Sequence, residues 1–246
     1  MICGEFSDNF YLQSKNLNPE PDTPIYLVLN CSEAVLQVVL GSPGQVLWSL
    51  NVLAPGRAMK HIAPAISSGL DCIGIKPEHL AGISCVKGPG SFTGIRMAFA
   101  HAHGLALASK IPMTSISYFD AIIHGPGSLL QGPAWIFIHS RRDQVYAMGF
   151  SLPSLRPVSA PCNIDFKSLD LLVKPVENQT VHVLGSGMRR NPHCFSADYW
   201  NILPENWDTP LPHSLLKLSV NSSFAVQTPF PEYLRPSDAE ENMFLL

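Results

Sequence analysis

Three glycines fall within seven residues in "GPGSFTG" (88–94). Gly88, Gly90 and Gly94 permit positive φ and close approach of the backbone to a ligand. Ser91 or Thr93 can cap a helix that follows, and the N-terminus of such a helix attracts negative charge. Gly88, Gly90, Ser91, Thr93 and Gly94 are therefore a candidate anion or nucleotide loop. It is not a Walker A loop, because no Gly-Lys-Ser/Thr closes it. The alternative is a tight strand-to-helix turn that needs glycine for its shape alone.

Other candidate chemistry is sparse. His101 and His103 are two apart on a predicted helix, so they point in nearly opposite directions and cannot grip one ion. His61 and His124 have no partner at ligand spacing, and no metal site is expected. Ser91 does not lie in the G-x-S-x-G elbow of a hydrolase. The loop after the first predicted strand reads Asn30-Cys31-Ser32, where a Mg²⁺-dependent kinase of mixed-sheet type would want an acid. Asn30 accepts a hydrogen bond but brings no charge.

The elements that must hold these residues can be read from periodicity. "IYLVLNC" (25–31), "AVLQVVL" (34–40) and "QVLWSLNVL" (45–53) read as three strands joined by tight links, an antiparallel meander. Met59, Ile62, Ile66, Leu70 and Ile73 recur at steps of three and four, so 57–73 is an amphipathic helix, with Pro64 expected to kink it or mark a late start. "AGISCV" (81–86) is a strand, 94–110 an Ala-rich helix, "IPMTSIS" (111–117) a strand and 117–124 a short helix. The order βββαβαβα predicts a mixed α/β sheet with helices on its faces. A second unit starts near 126, with "AWIFIHS" (134–140) and "QVYAMGF" (144–150) paired and "VHVLGSG" (181–187) a later strand. It reads as a shortened echo of the first. Residues 151–180 and 191–231 give no clear pattern. The domains are then a polar tail (1–24), a first domain (25–125) and a second, reduced domain with the C-terminal segment (126–246).

The Ala-rich helix carries two rows of small residues. Ala98, Ala102 and Ala106 form one; Ala100, Gly104 and Ala108 form another, roughly 200° around the axis. Small residues let a neighbour come close. One row can lie on the chain's own sheet, and the other is free either for a second layer of the same domain or for another chain. Met59, Ile62 and Ile66 of the preceding helix, with Ala100, Gly104 and Ala108, are the candidate partner interface.

Composition bounds the rest. The chain has 246 residues, 46% apolar and 14% charged, with a formal net charge of −3. Such a balance offers no electrostatic footprint for nucleic acid acting alone. Six cysteines without a C-x-x-C pair read as reduced thiols of a cytoplasmic protein. Residues 1–24 read as a loose polar tail rather than a signal peptide, and no stretch is apolar enough to span a membrane.

The stretch "GPGSFTGIRMAFAHAHGLALASKIPMTSISYFDAI" (88–122) resembles the signature of the TsaB family, also called YeaZ. These are bacterial subunits of the machinery that makes threonylcarbamoyladenosine in transfer RNA. "YLVLNCSEAVLQVVL" (26–40), "SRRDQVYAMGF" (140–150), "VLGSG" (183–187) and "PEYLRPSDA" (231–239) are similar to further family segments, in order. The resemblance implies the actin/Hsp70-like ATPase fold, with two ribonuclease-H-like domains, the second reduced. It implies a non-catalytic scaffold that activates its paralogue TsaD, pairing through helices that correspond to 57–73 and 94–110. A small ATPase, TsaE, joins the pair. ATP and metal belong to the partner, transfer RNA is met only through the complex, and the chain alone is left open between monomer and homodimer. Two departures stand out: Asn30 and His139 occupy positions where the family usually has Asp. The competing readings are a nucleotide-dependent enzyme of the actin-like class and a peptidase-like protein.

Overall fold

The computed structural model describes residues 22–174, 176, 179–225 and 229–236. The expected N-terminal tail lies outside the described residues except for its last three. β1 (Ile25–Asn30), β2 (Val35–Ser42) and β3 (Gln45–Leu53) form the meander. β4 (Leu80–Val86) and β5 (Met113–Ile116) then add in parallel to give the order β3-β2-β1-β4-β5. β1 is central and apolar as far as Leu29 because both of its faces are covered. Leu27 and Leu29 face a core shared with α1 (Met59–Cys72) and α2 (Phe92–Ser109), while Val28 faces the opposite layer. That opposite layer contains α3 (Tyr118–Ile123) and α6 (Pro212–Val220). α1 runs without interruption through Pro64, starting at Met59 rather than after the proline.

The second sheet repeats the pattern. β6 (Gly132–Arg141) and β7 (Gln144–Leu152) form an antiparallel hairpin. β8 (Arg156–Pro157) and β9 (Cys162–Asp165) pair with β7 at its two ends, as a third strand broken in two. β10 (Val181–Leu184) and β11 (Trp200–Ile202) add in parallel on the other side of β6. The reduction lies in the helices. α4 (Leu169–Leu172) and α5 (Ser186–Arg190) have 4 and 5 residues, where α1 and α2 have 14 and 18. The glycines at 185–187 form the turn into α5 rather than the end of a strand. Gly185 takes φ 110°, and its N–H donates to Asp208 at 2.7 Å.

The C-terminal segment returns to the first sheet. Leu215 and Leu216 of α6 are buried with Val28 and Val39, Phe224 packs on Tyr26, and Ala225 bridges to Met113 on β5.

Candidate functional site

The glycine loop is folded onto its own chain. Ser91 is the cap of α2, accepting from the N–H of Gly94 at 3.1 Å, while Thr93 is exposed. The Ser91 N–H donates to the Ser32 carbonyl at 2.6 Å. Gly88 and Gly90 have φ of 112° and 150°, as a left-handed turn requires. Gly94 is an ordinary helical residue, and it is glycine for another reason. A Cβ there would collide with the Cys31 carbonyl, and one at Gly90 would collide with the Ser32 carbonyl. The glycines thus press the loop and helix end against residues 31–32, and two of the amides that an anion would use are already spent.

A strap lies across this loop. The Glu232 N–H donates to the Lys87 carbonyl at 2.9 Å, and the two side chains form an ion pair at 2.6 Å. Tyr233 packs on Phe92 with ring centroids 4.3 Å apart. Arg96 lies 3.8 Å over Phe92 and donates to the Tyr233 hydroxyl at 2.9 Å. Nothing in the spacing of "PEYLR" alone signals this docking.

Between the two halves runs a cleft of about 900 Å³. The first half lines it with Ser32, Glu33 and residues 89–93; the second lines it with His139, Ser140, Ser186, Arg189, Arg190 and Asp208. Several of its polar groups are bonded to one another, while among the described residues Ser32 Oγ, His139 Nδ1 and Ser140 Oγ find no hydrogen-bond partner. Arg189 pairs with Asp208 at 2.7 Å and also donates to the Leu203 carbonyl. Ser186 donates to Glu33, and Tyr118 donates to the other Glu33 oxygen at 2.9 Å. Burial pushes the Glu33 carboxyl above its usual range and the Tyr118 hydroxyl well above its own. Burial and nearby Arg190 pull His139 down. Asn30 does not face the cleft. It is buried, donates to Gln37 at 2.8 Å, and accepts from the Ser32 N–H at 3.0 Å. Gln37 in turn donates to Asn51 and to the Pro210 carbonyl. Glu33, Ser186 and Asp208 are the cleft residues that the sequence reading missed. Glu33 was legible as the acid just past the first strand; Asp208 sits in a proline-rich stretch without periodicity.

The outer surface of α1 and α2 is different in kind. Ala98, Ala102 and Ala106 are buried on the sheet, whereas Ala100, Gly104 and Ala108 are exposed. The exposed row lines an open groove with Ala63, Ile66, Leu70 and Ile75. Met59 is exposed at the start of α1, outside that lining, and Leu107 of α2 is 84% exposed. Ile62, expected at this surface, is fully buried beneath α1 in the first core and is not available there. Among the described residues, no three His, Cys, Asp or Glu side chains come together to hold a metal ion. No helix among them is long and apolar enough to cross a membrane.

Two β-meander-plus-crossover halves around a central cleft define a protein of the actin-like ATPase fold, with the second half reduced. The family model described as "TsaD: tRNA N6-adenosine threonylcarbamoyltransferase" matches residues 54–171. The chain is 31% identical over 121 residues to the tRNA threonylcarbamoyladenosine biosynthesis protein TsaB of Haemophilus influenzae, covering 49% of this chain and 51% of that one. It is 29% identical over 117 residues to the TsaB of Buchnera aphidicola, covering 47% and 50%. The solved structure of YeaZ from Pseudomonas aeruginosa superposes with a TM-score of 0.71 at 21% identity, over 86% of this chain and all of the other. The chain thus resembles TsaB proteins in sequence over about half its length and YeaZ in fold over most of it. Its sequence matches span about half the length of the curated relatives.

Proposed function

We propose that this chain is a non-catalytic subunit in the formation of N6-threonylcarbamoyladenosine in transfer RNA. Its role is to hold a TsaD-type transferase through the exposed faces of α1 and α2. The observation that carries this reading is Gly104. Its backbone has no positive φ, and a Cβ built on it meets nothing within 4 Å. A helix-interior glycine costs roughly 0.5–1 kcal/mol relative to alanine, so nothing inside the monomer accounts for it. A close-packed helix from another chain does, because only a small residue lets two backbones approach.

The cleft supports the same reading. The actin-like fold suggests a Mg²⁺-nucleotide, but the residues present do not fit one. Asn30 is committed to Gln37 and Ser32, and the Ser91 and Gly94 amides are already bonded within the chain. The TsaB relatives and the TsaD family match favour transfer-RNA modification over a peptidase. In this reading TsaE, ATP and transfer RNA are met in the assembly rather than by the isolated chain. Size-exclusion chromatography of the chain with a purified TsaD-type transferase tests it, with co-elution expected. Separate elution, with the chain eluting as a dimer or a monomer, contradicts it.

A further inference from the structure

Ser32, His139 and Ser140 each turn a side-chain atom without a hydrogen-bond partner into the cleft, and they come from two elements. Ser32, in the link between β1 and β2, is fully buried, yet its Oγ meets no partner. His139 Nδ1 and Ser140 Oγ stand on β6. Neighbours in a strand normally face opposite sides. The ladder with β7 slips here: His139 pairs with Val145 and Arg141 with Gln144, which leaves Ser140 as an extra residue. Such a bulge re-aims a side chain, and both residues line the cleft. Ser186 joins the two elements. Its hydroxyl accepts from the His139 N–H at 3.0 Å and donates to Glu33, the neighbour of Ser32.

A buried hydroxyl without a partner has given up water for nothing, unless a ligand supplies the acceptor. A guanidinium stands beside these hydroxyls. Arg190, on α5, is exposed at the cleft and makes no hydrogen bond or ion pair among the described residues. Burial is the larger influence on both Glu33 and His139, but the Arg190 charge is felt at each, so it lies close to both elements. Hydroxyls and one uncommitted guanidinium suit an oxyanion. Its charge is bounded too. The acids of the cleft, Glu33, Glu205, Asp208 and Glu232, match its four arginines in number. Glu33 adjoins Ser32, with both of its oxygens already accepting from Ser186 and Tyr118. Arg190 answers one negative charge on a ligand; a second would face Glu33 with no cation to offset it.

We propose that the cleft binds the carboxylate of a small organic molecule at Ser32, Ser140 and Arg190, without a metal. The two hydroxyls and the guanidinium donate to the carboxylate oxygens, and His139 Nδ1 is left for a neighbouring polar group of the same molecule. Val35, Pro55 and Phe92 line the same cleft and suit an apolar remainder. The site differs from a Mg²⁺-nucleotide site in needing neither a metal nor the amides of the glycine loop. It does not depend on what the outer groove binds.

The test is an NMR titration of the isotope-labelled full chain with sodium butyrate and, separately, with inorganic phosphate, at constant ionic strength with EDTA and at about pH 7. Butyrate should shift the amides of Ser32 and Ser140 saturably, and phosphate should bind about tenfold more weakly or worse. Arg190→Gln should weaken butyrate about tenfold, as loss of a charge-assisted hydrogen bond does. Ser32→Ala should weaken it too, yet should melt no lower than the wild type, because no protein group loses a partner. Arg142→Gln removes an exposed arginine of the same hairpin that does not line the cleft. It should bind as the wild type does, which separates a built site from general attraction. The proposal is overturned by any of these results: no saturable butyrate binding, phosphate binding as tight, unweakened binding in Arg190→Gln or Ser32→Ala, a lower melting temperature in Ser32→Ala, or lost binding in Arg142→Gln.

Discussion

The cleft and the outer groove are built on opposite rules. The cleft is polar, and several of its groups answer one another: Arg189 to Asp208, Ser186 and Tyr118 to Glu33, Ser91 to Ser32. The groove has little polar chemistry, yet its floor of Ala100, Gly104 and Ala108 is left open. In the nucleotide-using reading of this fold, the cleft would be the unfinished region and the outer helices the finished ones. Here part of the inward-facing side is bonded within the chain itself, and the outward-facing groove is left open. That difference favours a role exercised on the outside of the first half.

The sharpest way to break the comparison is to place a large charge on each row of α2. Ala102 is fully buried against the sheet, and an unpaired arginine there should cost several kcal/mol. Ala102→Arg should fail to fold, as read by circular dichroism. The same substitution at Gly104 should leave the melting temperature within a degree or two, since the added side chain meets only solvent. If both variants melt alike, the two rows are not distinct.

The next largest effect concerns the glycine loop. Gly94→Val should cost on the order of 3 kcal/mol, because its Cβ would strike the Cys31 carbonyl. Loss of stability without any ligand in the assay would show that the loop is glycine-rich for packing. An unchanged melting temperature together with lost phosphate binding would make it a site.

Asn30→Asp tests whether an acid at the end of β1 can be held by its present neighbours. The new carboxylate would face the Gln37 oxygen, and Gln37 cannot turn without breaking its bonds to Asn51 and Pro210. Destabilisation of about 2 kcal/mol is expected by urea unfolding, with no gain of Mg²⁺-dependent ATP turnover. Turnover in this variant would contradict the reading that the chain has no nucleotide chemistry of its own.

The smallest effect is the most diagnostic of purpose. Gly104→Ala should stabilise the isolated monomer by ~0.5–1 kcal/mol, because the helix backbone gains and nothing is crowded. A loss of monomer stability instead would mean that the glycine serves the fold.

Much of this was legible in the sequence. The step-three-and-four pattern of Ile62, Ile66 and Leu70, and the two alanine rows, follow helix geometry, which is local. The continuous apolar run of β1 announced a strand covered on both faces. The fold, with its mixed sheet and reduced second half, therefore came through. The cleft did not, because its contacts join residues far apart in the chain: Glu33 to Ser186, Lys87 to Glu232 and Arg96 to Tyr233. Positive φ and close approach were both open at Gly94, because sequence cannot distinguish a glycine needed for φ from one needed for clearance. Ile62 was placed at the partner surface because helical periodicity gives a face without saying which of its residues lie deepest.

The measurement that bears most directly on the central claim is a calorimetric titration of a purified TsaD-type transferase into the full chain, wild type and Gly104→Arg, alongside Mg-ATP into the chain alone. The account predicts saturable binding of the transferase by the wild type, its loss in the folded Gly104→Arg variant, and no heat from Mg-ATP. Saturable Mg-ATP binding by the isolated chain, or undiminished transferase binding by Gly104→Arg, would contradict it.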